Sequence, residues 1–381
     1  MTDPAAPDHV TGAGLPAEAT GERPGPFSVF LKVLSAALSG GLVVLLFAAI
    51  IPKVTEFESV GESIKSIAPA TVVLMLIIAL AIRVVLAASY SVLTPGLSLW
   101  RSLIAREASS AVSNIIPGPS GTAAQFAILR SWGVGLERFA RATVAVSVST
   151  DVLIMAGPGL FWIGWTLVGQ PAAEGGEHAW AFGIAAVFLS AVSILVVVAI
   201  ASSVKLAARL GRWAQASVNP LRRLFNKPKL TTWPDQMVAM RADLVDELRQ
   251  DGIRLLACVV GGYLLNGVLL VMCLWACGAS RDELPLSLGL MLYGVGRIAT
   301  IVQITPGGVG ITEIAYTAVY TAVLGDSAQA AIVAGVLVYR MWTYLLPIIS
   351  GAFAYVIWRV MRRRERRAAE AADPAAPTGA G

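Results

Sequence analysis

Four ionisable residues stand where hydrocarbon would make them expensive: Asp151, Arg297, Glu313 and Arg340 all lie in otherwise apolar stretches. Burying such a group at the centre of a bilayer costs about 2.5–3.5 kcal/mol on insertion scales, so each calls for a partner or a wet cavity. Beside them stand two related breaks. Asn114-Ile-Ile-Pro117-Gly118-Pro-Ser-Gly121 and Gln303-Ile-Thr-Pro306-Gly307-Gly-Val-Gly310 share a carboxamide, two residues, then Pro-Gly-x-x-Gly. Proline removes a backbone donor and stops a helix, and glycine lets the chain turn sharply. The chemistry open to this set is recognition: guanidinium groups for a phosphate, carboxylates as counter-charges, and carboxamides and freed backbone groups for polar substituents. Asn114, Pro117, Gly118, Gly121, Asp151, Arg297, Gln303, Pro306, Gly307, Gly310, Glu313 and Arg340 form the candidate substrate-binding set. A Glu313–Arg340 pair would neutralise both charges; an unpaired Arg297 or Arg340 would suit a phosphate. For Asp151 the plain alternative is a structural pair with an arginine of the other half.

No catalytic or metal-binding set accompanies them, and no cofactor is expected. The only histidines are His9 and His178, and Cys258, Cys273 and Cys277 all sit in apolar runs, where they read as small core residues rather than zinc ligands.

The elements that must hold these residues are membrane spans. Of 381 residues, 56% are hydrophobic and 14% charged, against about 25% charged in a soluble domain; mean hydropathy is +0.71. Residues 30–51, 68–93, 139–168, 178–201, 256–278 and 328–358 read as six spans. Residues 97–132 and 286–324 are less apolar, and each is interrupted by one of the Pro-Gly breaks. The expected fold is all-α and polytopic, with about six spans and two re-entrant broken hairpins in inverted repeats. A rival count makes the two interrupted stretches full spans. Residues 1–28 read as a disordered tail, 29–358 as the transmembrane domain with a polar loop at 203–254, and 359–381 as a basic, disordered tail. Residues 234–250, opened by Asp235, suggest a surface helix.

Charge sets the expected sidedness. The net charge is +5, and basic residues gather in the central loop and in the final RVMRRRERR cluster, which places both on the cytoplasmic side of an inner membrane, with both termini cytoplasmic. Anionic lipid is the matching partner, and nucleic acid is not expected. Homo-oligomers or an envelope-assembly partner docking on the central loop remain open. Trp162, Trp165, Trp180, Trp275, Trp342 and Trp358 read as an aromatic belt. Arg83, Arg106 and Arg130 read as side chains that snorkel to the interface.

The repeat carries further than the motifs. Asp151 lies as far beyond Pro117 as Arg340 lies beyond Pro306, and the unit span–hairpin–span occurs twice with opposite sense. Inverted repeats with broken helices meeting at mid-membrane are a transporter architecture. The expected function is therefore translocation of an anionic phospholipid or a lipid-linked sugar, without enzymatic chemistry. The alternatives are an integral-membrane lipid-modifying transferase and an accessory subunit of an envelope-assembly complex.

The pattern N-x-x-P-G-x-x-G, and Pro306-Gly-Gly-Val-Gly-Ile-Thr-Glu313 followed by the deep Arg340, resembles the lysylphosphatidylglycerol synthase transmembrane region, or flippase-like, family over residues 29–358. The resemblance implies movement of a phospholipid between leaflets: in the multiple-peptide-resistance members this region moves an aminoacylated phospholipid made by a separate soluble domain. Nothing after Trp358 reads as such a synthase domain, so aminoacyl transfer is not implied. Thr122-Ala-Ala-Gln125 stands where similar proteins often carry an acidic residue, so the lipid identity does not carry over.

Overall fold

The computed structural model describes residues 65–116, 119–167, 176–224, 231–301 and 305–372. The first expected span, at 30–51, and Pro117, Gly118 and Gln303 lie outside them. The described residues are helical and contain no strand, so the fold is all-α. Among the described residues, four runs are long and apolar enough to cross a membrane: Pro69–Leu93, Leu136–Gly164, Trp233–Ala276 and Asp326–Glu365.

In chain order, α1 is Pro69–Leu93, with proline in its first turn where the missing N–H has no helical partner to lose. The first hairpin follows as α2 (Leu99–Ile115) and α3 (Ser120–Arg130). Ser98 caps α2 by accepting from the Arg101 N–H at 3.4 Å. Next come α4 (Leu136–Leu167), α5 (Gly176–Ser202), α6 (Val204–Leu224) and α7 (Trp233–Ala276). The second hairpin is α8 (Leu286–Ala299), a tight turn at Pro306–Gly308, and α9 (Ile311–Leu324). The chain ends in α10 (Gln329–Arg340), one wide π turn at Met341–Leu345, and α11 (Leu346–Ala372).

The limbs of the two interrupted stretches contain 17, 11, 14 and 14 residues. At 1.5 Å per residue they reach about 26, 16, 21 and 21 Å, short of a hydrocarbon core about 30 Å thick. Within each pair the limbs pack on one another. Both stretches are therefore hairpins, not full spans.

They also enter from opposite faces. At the base of the first, Arg101 pairs with Glu365 of α11 at 3.3 Å, and the Trp358 indole N–H donates to the Ser131 hydroxyl at 3.0 Å. That base shares a face with the basic end of α11, called here the tail face. The base of the second sits at the far end of α7, where the Trp275 indole N–H donates to the Leu284 carbonyl at 2.9 Å.

Packing follows the inverted repeat. α1 lies against α7; the first hairpin's α2 lies against α11 of the second unit; the second hairpin's α8 lies against α4 of the first. Each hairpin is thus gripped by the other unit's last span. A core built around Leu269, Leu270, Tyr293, Tyr316 and Tyr320 seals the centre. Outward, α1, α5 and α11 present Ile77, Phe188, Leu195, Phe353 and Val356, an apolar surface of the kind lipid tails cover.

Four sequence expectations change. The surface helix expected at 234–250 is not separate: α7 runs unbroken for 44 residues, about 66 Å. Only Gly252 interrupts the helix formers there, a cost of about 1 kcal/mol, and Arg254 bridges Asp251 at 3.2 Å. The polar stretch before it forms α6, whose Ala207 and Gly211 are buried, Gly211 against the start of α7. The tail expected to be disordered from 359 stays helical to Ala372, as its Arg, Glu and Ala content favours. Trp162 is core rather than belt, 4% exposed, with its ring over Gly183. Cys273 and Cys277 are buried core residues, as expected.

The α2–α11 seam depends on one small residue. A Cβ on Gly351 would stand 2.3 Å from the Glu107 carbonyl oxygen, which belongs to backbone and cannot turn away. Gly351→Ala should force the seam apart at a cost of about 1–3 kcal/mol. A fall of several degrees in the thermal midpoint of the detergent-purified protein checks this, and an unchanged midpoint contradicts it.

Candidate functional site

The candidate residues separate into two groups. The first is a knot at the tip of the second hairpin. Its turn needs left-handed backbone at Gly307 (φ +58°), Gly308 (φ +68°) and Gly310 (φ +86°), conformations that side chains other than glycine disfavour. Pro306 opens the turn. Glu313, in the first turn of α9, accepts from the Gly310 N–H at 2.7 Å through Oε2, and from Arg340 Nε at 2.7 Å through Oε1. Arg340 Nη2 donates to the Gly307 carbonyl at 2.8 Å, and its guanidinium lies 5.0 Å from the centre of the Tyr344 ring. Of the two readings of Arg340, the structure realises the paired one. Both charges are spent on each other and on the broken backbone.

The first hairpin reaches the same place. The Asn114 amide donates to the Tyr344 carbonyl at 3.0 Å, and the Tyr344 hydroxyl donates to the Asn114 carbonyl at 3.1 Å. A Cβ on Gly307 would meet the Tyr344 ring at 2.5 Å and Asn114 Oδ1 at 3.0 Å, so the two tips touch. Gly121 stands apart. It is buried against Ser113 between α2 and α3, and its carbonyl accepts from the Ser109 hydroxyl at 2.8 Å.

The second group is a cavity of about 290 Å³ between α4 and α8, lined by Thr150, Asp151, Ile154, Arg297, Thr300 and Ile301. Arg297 lies eleven residues into α8, about 16 Å from the hairpin base, and Asp151 fifteen residues into α4, about 22 Å from the tail face. Both are near mid-membrane. α8 approaches this closely because Gly294 packs beside Pro158. Asp151 is exposed at the mouth, and Arg297 is partly buried. Each acts electrostatically on the other across the two units, but no ion pair within 4.0 Å forms between them among the described residues. Arg297 makes no hydrogen bond there either. Behind it stand Tyr293, Tyr316, Tyr339 and Tyr263. Ring contacts at 5.1, 5.8 and 5.9 Å join Tyr263, Tyr293, Tyr316 and Tyr339 into one row. The hydroxyl of Tyr263 is buried without a hydrogen-bond partner among the described residues.

A guanidinium with its donors unspent, beside threonine hydroxyls and a carboxylate at the mouth, can take a phosphate and accept from hydroxyls attached to it. The family model for the lysylphosphatidylglycerol synthase TM region matches residues 32–351. The chain belongs to this family. It is an integral membrane protein of a family that acts on lipids. No curated protein matches it.

The sequence reading singled out Asp151 and Arg297 but missed Thr150, Thr300, Tyr344 and the tyrosine row. One signal was available: seven of the eight tyrosines fall after residue 256, well inside the second unit, which marks that unit as the more polar inside.

Removing one partner of a buried pair costs about 3–5 kcal/mol because the other charge is stranded. Glu313→Gln and Arg340→Met should each lower the thermal midpoint sharply. The double variant should lose clearly less than the sum, and strict additivity in this double-mutant cycle would contradict the knot.

Proposed function

We propose that the protein is a translocase for an anionic phospholipid or a lipid-linked sugar, and that the α4–α8 cavity holds the headgroup at mid-membrane while no bond is made or broken. The observation that carries this reading is Arg297, a charged side chain near mid-membrane with no hydrogen bond or ion pair among the described residues, lining a cavity between inverted units. An unpaired cation there is costly, and a phosphate supplies the missing partner. Asp151 and the Thr150 and Thr300 hydroxyls then meet glycerol or sugar hydroxyls. Hydrocarbon tails remain outside, against the apolar faces of the spans.

A cytoplasmic tail face is supported by the basic end of α11 and the basic residues of α6, Lys205, Arg209 and Arg212 among them. The two hairpins then reach the cavity region from opposite leaflets, which suits a headgroup that must leave one and enter the other.

Reconstitution in vesicles with headgroup-labelled phosphatidylglycerol and glycosylated phospholipids tests the reading. The wild-type chain should speed exchange between leaflets, and Arg297→Gln should slow it about tenfold or more, as expected for loss of a charged hydrogen bond. Failure of the wild-type protein to move any tested anionic or glycosylated lipid would sink the proposal.

A further inference from the structure

A second set of interior charges lies on the tail-face side of the molecule, and the α4–α8 cavity does not use it. Arg83 is ten residues from the C-terminal end of α1, about 15 Å from the tail face. It is partly buried, its Nε is fully buried, and it makes no hydrogen bond or ion pair among the described residues. Glu107, eight residues into α2, is 5% exposed. Its Oε2 accepts from the Ser350 hydroxyl of α11, while Oε1 is buried without a hydrogen-bond partner among the described residues. Arg106 lies over the Tyr90 ring at 5.8 Å and forms no ion pair among the described residues. These are not snorkelling side chains. They point into protein, and both an arginine donor and a carboxylate oxygen are left unsatisfied, which costs more than the bond each could form.

Tyr339 links this set to the cavity. It is 3% exposed, in ring contact with Tyr316 at 5.9 Å, and its hydroxyl donates to Asn266 Oδ1 at 3.3 Å. It lies within electrostatic reach of both Arg83 and Arg297, and the π turn just after it touches α1. The inverted repeat sharpens the relation. The counterpart of the open α4–α8 contact is the α2–α11 contact, which is shut by Gly351 and by Ser350 on Glu107.

We infer that Arg83, with Arg106 and Glu107, is a second station for a phosphate-bearing headgroup, on the tail-face side of Tyr339, and that Tyr339 separates it from the Arg297 cavity. The inference rests on the translocase reading and extends it. A headgroup leaving Arg297 toward the α2–α11 contact meets Arg83 next. Glu107 Oε1 then accepts a headgroup hydroxyl while the guanidinium holds the phosphate. The shared chemistry is a phosphate ester, whether of a lipid or of a small soluble phosphate.

The test uses the full chain in vesicles containing phosphatidylglycerol with a photoreactive diazirine on its headgroup, with adducts mapped by peptide mass spectrometry. Two sets are expected: one on α4 and α8 around residues 151 and 297, the other on α1 and α2 around 83 and 106. Arg83→Gln should reduce the second set about tenfold and leave the first intact, which also shows that the variant is folded. Arg83→Lys, which keeps the charge, should retain most of it. Adducts confined to the first set overturn the second station and leave the translocase reading standing. Loss of the second set on adding excess inorganic phosphate, with the first unchanged, assigns it to a soluble phosphate and overturns the lipid station. Absence of both sets overturns the Arg297 cavity as a headgroup site along with the inference.

Discussion

A Pro-Gly break at mid-membrane leaves carbonyls and amides without helical partners, and hydrocarbon offers none. Such backbone survives only where protein or trapped water satisfies it. Here Arg340 and Glu313 do so together: the guanidinium takes the Gly307 carbonyl, the carboxylate takes the Gly310 N–H, and each neutralises the other. Neither half would serve alone, since a lone arginine or a lone glutamate at that depth replaces one unsatisfied group with a worse one. With the turn held, α8 can enter and α9 can leave on the same face. The Asn114–Tyr344 pair then ties the other hairpin to the same point.

Everything that positions the cavity follows from that crossing. Because the hairpins come from opposite faces, each finds the other unit's last span beside it: α2 on α11, and α8 on α4. The two contacts are topologically equivalent but differ in state. One is zipped by Gly351 and by Ser350 on Glu107; the other parts around Asp151 and Arg297. Under the proposed translocation, inequality of this kind between inverted units suits a fold that presents one opening at a time. The row of tyrosines between the two contacts supplies a wall that is apolar in its rings and polar at its hydroxyls.

Much of this was legible in the residues. The repeated carboxamide-x-x-Pro-Gly-x-x-Gly pattern marked both hairpins, because only a break in an apolar run needs those residue types together, and the Glu313–Arg340 pair followed from two isolated charges near one break. The role of that pair was harder to read. Whether a guanidinium is free or spent on a carbonyl depends on where Gly307 points, which a sequence does not record. Asp151 and Arg297 lie 146 residues apart, and only the swapped grip of the hairpins brings them to one cavity. Arg83 read as an interface residue because spacing along α1 alone cannot tell a lipid-facing side from one turned toward Glu107. The unbroken α7 was hidden by its change from polar to apolar halfway along, which looks like a boundary although only Gly252 weakens the helix there.

The most direct measurement is the sidedness of the hairpin bases, read by labelling single cysteines with a membrane-impermeant thiol reagent in a background lacking Cys258, Cys273 and Cys277. Cysteines at Ser98 and Glu137, flanking the first hairpin, should react from the same face as one at Arg363. Those at Ser280 and Ser327, flanking the second, should react only from the opposite face. Labelling of positions 98 and 137 from different faces, or of 280 and 327 from different faces, would make that stretch a full span and contradict the crossing on which the knot and the cavity depend.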